Sequence, residues 1–583
     1  MKLKEYQKNL KKEYQETFQE NKSQPKKRFE FKVRYAVALA FTFLFVLILG
    51  YHISILSYNA GVDRFNDSLR SEVVNYEATT NLSSIHSKKE YENVVSKYQK
   101  ERVYREKKQS LLSVLFSLQL GGCTSSAGDM GTAPDAPTND SSYNTNIQVE
   151  GIDESDVAKC DGTYIYYLDS SMLYIYSIET QSIVATRKDD GYELYVNQNR
   201  IVSIGEHKTI LYEFTNDTIT LKHQFEYQRY LNSRVVEDNL YLVVGSSASE
   251  EDILYDDCYY DSCSQPRWLY SLVRLNLNTF EKKEVQLLSQ SGSILYASHQ
   301  YFYIASRENI FTSISIFSFD LEPVGVVRVC GTILNQFSMD EYEDSFRVVS
   351  TDTSKNATEL NAISIFSISN EFQRVGFLDQ GIGLGRQTVR SVRFDQNTCY
   401  VVTYENTDPL YEIDCSNPAS PKIISAYQAP GYSNYLHTFT VEDKEYVLGL
   451  GFTDQSRYST KISVYEKTET TTQIGQDFIL VRDLYFDKGN YVNPYLNVGM
   501  FSNHKALWLF EKDNKLYLGA TVAADAYLIF EIDVNDTEEV VKIYQTLPLK
   551  NGEYSRLFLV NDILYLIDDS KVKALEFNQI LGE

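Results

Sequence analysis

A chain of 583 residues with a formal charge of -23 has room for several ordinary domains or for one large repetitive one. Its acidity excludes nucleic acid as a general partner, because phosphate binding needs clustered Lys and Arg to displace counterions. Seven cysteines fall far short of a disulfide scaffold, so the core must hold by packing.

Residues 1–34 carry eleven Lys/Arg against five Glu, a net of +6, which leaves -29 for the remainder. A membrane accounts for that asymmetry. Tyr35 to Leu56, "YAVALAFTFLFVLILGYHISIL", is a run of 22 residues with no Lys, Arg, Asp or Glu, enough to span a hydrocarbon core. Lys26, Lys27, Arg28, Lys32 and Arg34 precede it directly, so the positive-inside rule puts the tail in the cytoplasm and the bulk of the chain outside. The run exceeds a signal-peptide core, and Tyr58 spoils a small-x-small cleavage pattern before Ala60, which favours an uncleaved anchor.

Residues 57–118 read as a juxtamembrane helical region. Ser87 and Glu90 form a capping box ahead of a helix over Ser87–Gln109, with Tyr91, Val94, Val95 and Tyr98 on one face. "LLSVLFSLQLGGC", Leu111 to Cys123, looks like a lipoprotein signal. Its place deep inside an already anchored chain makes it read better as an amphipathic segment entering a linker, residues 119–143, rich in Ser, Thr, Asp, Gly and Pro.

From residue 144 to 583 the texture becomes short aromatic and β-branched runs broken by turns, as in "GTYIYYLDSSMLYIYSI" and "DILYLIDDSKVKALEF". Nine such hairpins start near 163, 200, 239, 301, 346, 399, 446, 515 and 563, a mean spacing of 50 residues. Four-stranded units at that period indicate an all-β fold, a large β-propeller. Since propellers have about four to eight blades, we expect about eight four-stranded blades rather than the literal nine.

"NIQVEGIDESDVAKCDGTYIYYL", "ILNQFSMDEYEDSFRVVST", "NHKALWLF" and "SRLFLVNDILYLIDDSKVKALEF" together resemble an exported bacterial β-propeller family distantly related to WD repeats. The resemblance runs from about Ser87 to Phe577. It implies a membrane-associated C-terminal propeller after a short helical region, and it brings no activity or catalytic residues. The chain departs from the family pattern at Leu384-Gly385-Arg386-Gln387 and at Cys399 and Cys415.

The last hairpin unit supplies only three strands, Ser555 to Phe577. Asn146–Val149 is therefore expected to close the ring as its fourth, with "EGIDE" crossing to a first strand "SDVAKCD". Glu150, Asp153, Glu154, Asp156 and Asp161 crowd that crossover and must be solvated, paired or metal-bound. Asp153, Glu154 and Asp156 are the candidate metal ligands, with Ca²⁺ as the cation hard oxygens would take, although their spacing is not that of an EF-hand. Pairing with Arg or Lys is the competing reading, and Arg393 is one candidate partner.

Cys258 and Cys263, within the acidic insertion Ser247–Trp268, read as a loop disulfide. Cys399 and Cys415 stand symmetrically about Thr407, close enough in a symmetric hairpin to bridge across strands, with two buried thiols as the competing reading. His437 and His504 read as structural, and "GYSNY" around Ser433 lacks the final Gly of a nucleophile elbow. Two functions follow. One is a cell-surface binding or scaffolding module for an extracellular protein, peptide or glycan; the alternative is a metal-assisted hydrolase of cell-envelope material. Nothing in residues 1–34 supports a third, signal-passing role.

Overall fold

A computed structural model describes residues 35, 39, 40, 42–68, 71, 82–100 and 145–577. Within these it omits 170, 263–266, 291–292, 309, 354–359, 384–386, 405–407, 430, 454–458, 469–470, 482–485, 488–489, 492–502, 524–525, 550–554 and 569. The chain divides into two compact units, residues 1–69 with 104–126, and residues 70–103 with 127–583. In the first, Thr42–Ser68 is the one helix among the described residues long and apolar enough to cross a membrane. It continues past Leu56, the expected end of the span, and Phe43, Phe45 and Leu47 on it are exposed.

The second unit is built of antiparallel sheets. Nine have three or more strands among the described residues. We number them in chain order: sheet 1 (158–188), sheet 2 (193–226), sheet 3 (229–289), sheet 4 (293–330), sheet 5 (339–378), sheet 6 (388–429), sheet 7 (432–481), sheet 8 (508–548) and sheet 9 (556–576). Each but sheet 3 is a meander whose strands pair in sequence order, and the hairpins turn on residues that tolerate a left-handed backbone. Glu442-Asp443, Asp513-Asn514 and Asn561-Asp562 all have φ between 50° and 63°.

Alternation on the strands gives every sheet two apolar faces, which meet those of its neighbours. Tyr303 of sheet 4 stacks on Phe346 of sheet 5 at 4.0 Å between ring centroids. Such clusters join each sheet to the next, and Ile165 and Tyr167 of sheet 1 share one with Phe558 and Tyr565 of sheet 9. The opening strand of sheet 9, Arg556–Val560, is buried throughout, whereas the closing strand of sheet 1, Ser182–Lys188, is largely exposed. The segment before sheet 1 reaches the opening strands of sheets 2, 3 and 7, and these line the middle of this unit.

Outer edges are treated in a regular way. Where the third strand meets the fourth, the register shifts by a β-bulge in sheets 1, 2, 4, 5, 6, 7 and 8. A bulge twists an edge and spoils it as a template for further pairing. In sheet 3 the same pairing, Trp268–Leu275 with Lys282–Ser289, runs without a shift. That straight edge is covered: Cys258–Tyr260 adds to it in parallel, and Ser83–Ser84 adds to Cys258–Tyr260 in turn.

A helix follows at Lys88–Lys100, the end of its described span. Ser87 caps it as expected, its Oγ accepting from the Glu90 N–H at 3.3 Å, while the Glu90 carboxylate accepts from the His86 N–H at 3.0 Å. Ile85 and Tyr91 pack on Ile253, Cys258, Leu269 and Leu288. The acidic insertion thus serves, with sheet 3, as the dock for the segment from Ser83 to Tyr91.

Ile85 has no exposed surface, so Ile85→Asp should release this dock alone. Loss of its burial and of the cluster around it, about 3 kcal/mol, corresponds to roughly 100-fold faster hydrogen exchange. We expect that acceleration in residues 82–100 and 256–260, with the other sheets unchanged; uniform acceleration throughout would contradict a separable dock.

Candidate functional site

Residues 145–149 form no strand, which corrects the expected ring closure by Asn146–Val149. Sheet 9 has three strands among the described residues. The segment instead runs through the middle of the unit, past the opening strands. The Asn146 amide donates to the Tyr435 hydroxyl of sheet 7 at 3.3 Å and to the His504 carbonyl ahead of sheet 8 at 3.1 Å. The Gln148 amide donates to the carbonyls of Gln336 and Met339, at the start of sheet 5. A turn from Val149 to Ile152, closed by a 3.1 Å backbone hydrogen bond, puts Gly151 at φ 78°, where glycine is the unstrained choice. Ile152–Asp153 then pairs with Val235–Val236 on the inner edge of sheet 3, and Asp156 bridges Leu194 on the inner edge of sheet 2. The chain next enters sheet 1. We call residues 145–156 the lead-in.

The three candidate metal ligands do not converge on one point. Asp153 faces Lys159 Nζ at 2.5 Å; Glu154 faces Arg234 at 3.5 Å and His504 Nε2 at 2.9 Å; Asp156 accepts two hydrogen bonds from Arg556, at 2.9 and 2.7 Å. Lys505 Nζ adds a bond to the Ser155 carbonyl at 2.5 Å and an ion pair to Glu193 at 3.1 Å. Among the described residues no three His, Cys, Asp or Glu side chains group as a metal would require. The physical reason is that each carboxylate is already met by a cation from a different sheet.

The electrostatics follow from that pairing. Burial alone would push the Asp156 carboxyl up, but Arg556, then Lys505 and Lys159, outweigh it and hold it below the ordinary range. Glu154 behaves likewise, with burial overcome by Arg234, His504 and Lys505. For Lys505, burial pulls down and Glu193, Asp156 and Glu154 together push up. These groups are locked in their charged forms, which suits structure and not proton transfer.

The sequence reading missed Arg234, Lys505 and Arg556. A signal was present: "SRVV" opens in sheet 3 and "SRLF" opens sheet 9, and in both the Arg donates to the carbonyl of the preceding Ser, at 2.6 and 2.9 Å. Arg393, the partner it named, lies elsewhere. It donates to Thr438 Oγ1 at 3.4 Å and borders a cavity of about 310 Å³. Gln148, Val149 and Glu150 of the lead-in form one wall of that space, and residues of sheets 4, 5, 6 and 7, among them Tyr296, Glu341, Tyr342 and Asp395, form the rest. Burial raises the carboxyl of Glu341, which accepts from the hydroxyls of Ser298 at 2.6 Å and Tyr303 at 2.5 Å.

The remaining candidates are structural. His437 is buried beside Tyr435, and burial together with Arg393 drives its pKa well below the usual value. Ser433 is 1% exposed within a sheet 7 strand, not raised on an elbow. Cys399 pairs in register with Ile413, two residues short of Cys415, because the hairpin is not centred where the symmetric spacing placed it. Both thiols are free and buried, which is the second of the two readings the sequence left open. Cys258 is also free and buried; its expected partner Cys263 lies outside the described residues.

Residues 142–580 match the family model described as Beta propeller domain. An uncharacterized protein of Archaeoglobus fulgidus is 27% identical over 273 residues, covering 47% of this chain and only 38% of that relative. An uncharacterized protein of Methanocaldococcus jannaschii is 22% identical over 546 residues, covering 75% and 84%. Both are archaeal, whereas the sequence resemblance implied a bacterial family. The crystal structure of a eukaryotic initiation factor aligns over 71% of this chain and 92% of its own, at 11% identity and a TM-score of 0.40, too distant to bear on function.

Asp156→Asn leaves Arg556 buried without its counter-charge and should cost about 3 to 5 kcal/mol. Because the folded Asp156 carboxyl titrates below its unfolded value, its contribution is complete above about pH 4 and is lost as pH falls through the depressed pKa. Denaturant unfolding between pH 7 and pH 2 should therefore show a shallower acid-side decline for the variant than for the wild type. Parallel curves would remove the pair from this role.

Proposed function

The chain belongs to the Beta propeller domain family, and from that premise we propose that it is a binding module displayed at the cell surface, with its ligand received in the cavity between the lead-in and sheets 4 to 7. In this reading the nine sheets are nine blades of one closed ring. The apolar helix is a single anchor with residues 1–34 inside the cell, residues 57–118 link it to the linker at 119–143, and residues 144–583 lie outside.

The cavity carries the proposal. About 310 Å³ lies between the lead-in and sheets 4 to 7, bordered by the rings of Tyr296, Tyr342 and Phe394 among a majority of polar and charged side chains, including Glu150, Asp340, Glu341, Arg393 and Asp395. Polar groups placed around a cavity fix the orientation of a ligand's own hydrogen-bonding groups, such as a sugar hydroxyl or a peptide amide. A protein, peptide or glycan would present one group to the cavity and rest the remainder on the surrounding hairpins.

The test is a stability screen of the purified full chain against peptide and oligosaccharide collections. A ligand at 100 times its Kd should stabilise the fold by about 2.7 kcal/mol. Thr438→Trp, which fills the cavity from its wall, should abolish that stabilisation. Equal stabilisation of the filled variant would place binding elsewhere, and turnover of a screened compound that requires an added divalent cation would favour a hydrolase.

A further inference from the structure

Three Asn-x-Ser/Thr tripeptides have a described Asn: Asn66-Asp67-Ser68, Asn216-Asp217-Thr218 and Asn535-Asp536-Thr537. Asn66 lies in the apolar helix with 8% of its surface exposed. The other two occupy equivalent places. Asn216 is in the turn between the third and fourth strands of sheet 2, Lys208–Thr215 and Thr218–Glu226; Asn535 is between those of sheet 8, Ala526–Ile532 and Val541–Pro548. In both tripeptides all three residues are exposed.

The backbone at each turn is organised without using the asparagine amide. Asn216 and Asp217 adopt φ of 49° and 55°, and Thr218 Oγ1 donates to the Asn216 carbonyl at 3.2 Å. At the second site the Asn535 N–H donates to Asp533 Oδ1 at 3.1 Å. Neither carboxamide is engaged within the protein among the described residues.

We propose that Asn216 and Asn535 are N-glycosylated, with an oligosaccharide carried on a lipid phosphate as the donor. In the transfer the carboxamide nitrogen bonds to the anomeric carbon and the anomeric carbon–oxygen bond to phosphate breaks. The lipid phosphate leaves with that electron pair, and the amide gives up one proton. The threonine two residues on is the part of the motif the transferase requires. The inference rests on the outward orientation of residues 144–583. It also agrees with the proposed cavity, which sheets 4 to 7 line and which glycans on sheets 2 and 8 would leave clear.

The full chain, isolated from membranes of its source cells, is analysed by peptide mass spectrometry, while lysines on intact cells are labelled with a membrane-impermeant reagent to read orientation. Asn216→Gln, Asn535→Gln, Thr218→Ala and Thr537→Ala should each remove the mass of one oligosaccharide; the threonine variants do so with the asparagine still present. Surface labelling together with unmodified peptides at both sites overturns the proposal and leaves the orientation standing. Absence of surface labelling overturns both, and glycan retained in a threonine variant overturns assignment to that motif.

Discussion

The structure depends on the balance of charge around the lead-in. Asp153, Glu154, Asp156 and Glu193 bring four negative charges into the middle of the sheets, and Lys159, Arg234, Lys505 and Arg556 bring four positive ones. Desolvating such groups is expensive, and the expense is recovered only when each finds a partner with good hydrogen-bond geometry. Because the partners reside on sheets 1, 2, 3 and 9 and in the turn before sheet 8, meeting that requirement fixes those elements relative to one another. Apolar packing between sheets is tolerant of small slips. A buried ion pair is not, and here the pairs set the register of the assembly.

A second rule governs the perimeter. Seven sheets carry a bulge between their last two strands, and the straight edge of sheet 3 is covered by a strand of its own insertion and by Ser83–Ser84. Edges left flat invite further strands. In sheets 1 to 8 the chain meets that hazard by distortion where the edge is free and by occupation where it is straight, which gives the acidic insertion a purpose unrelated to metal binding.

The repeated sheets were legible in sequence because two local signals coincide every 50 residues or so: period-two alternation of aromatic and β-branched side chains, and turn pairs such as Glu442-Asp443 that accept positive φ. The course of the lead-in was not. "NIQV" alternates as a strand would, yet its buried side chains are Asn146 and Gln148, because the middle of this unit is polar. A hydrophobic pattern reports a strand only where the buried side is apolar. The acidic cluster was recognised and its pairing with basic residues anticipated. The shared Ser-Arg pairs of sheets 3 and 9 marked two of its partners, but with up to 400 residues intervening no local rule assigned Asp156 to Arg556.

That separation bears on the order of events during synthesis. Asp156 and Arg556 are 400 residues apart, so the lead-in leaves the ribosome long before its last cation exists. At about 5 to 20 residues per second, the wait is roughly 20 to 80 seconds. Individual meanders close locally within that time, their contacts being short in sequence. Lys159 and Arg234 are made early enough to meet Asp153 and Glu154 first, whereas Asp156 has no Arg556 to pair with until sheet 9 is made.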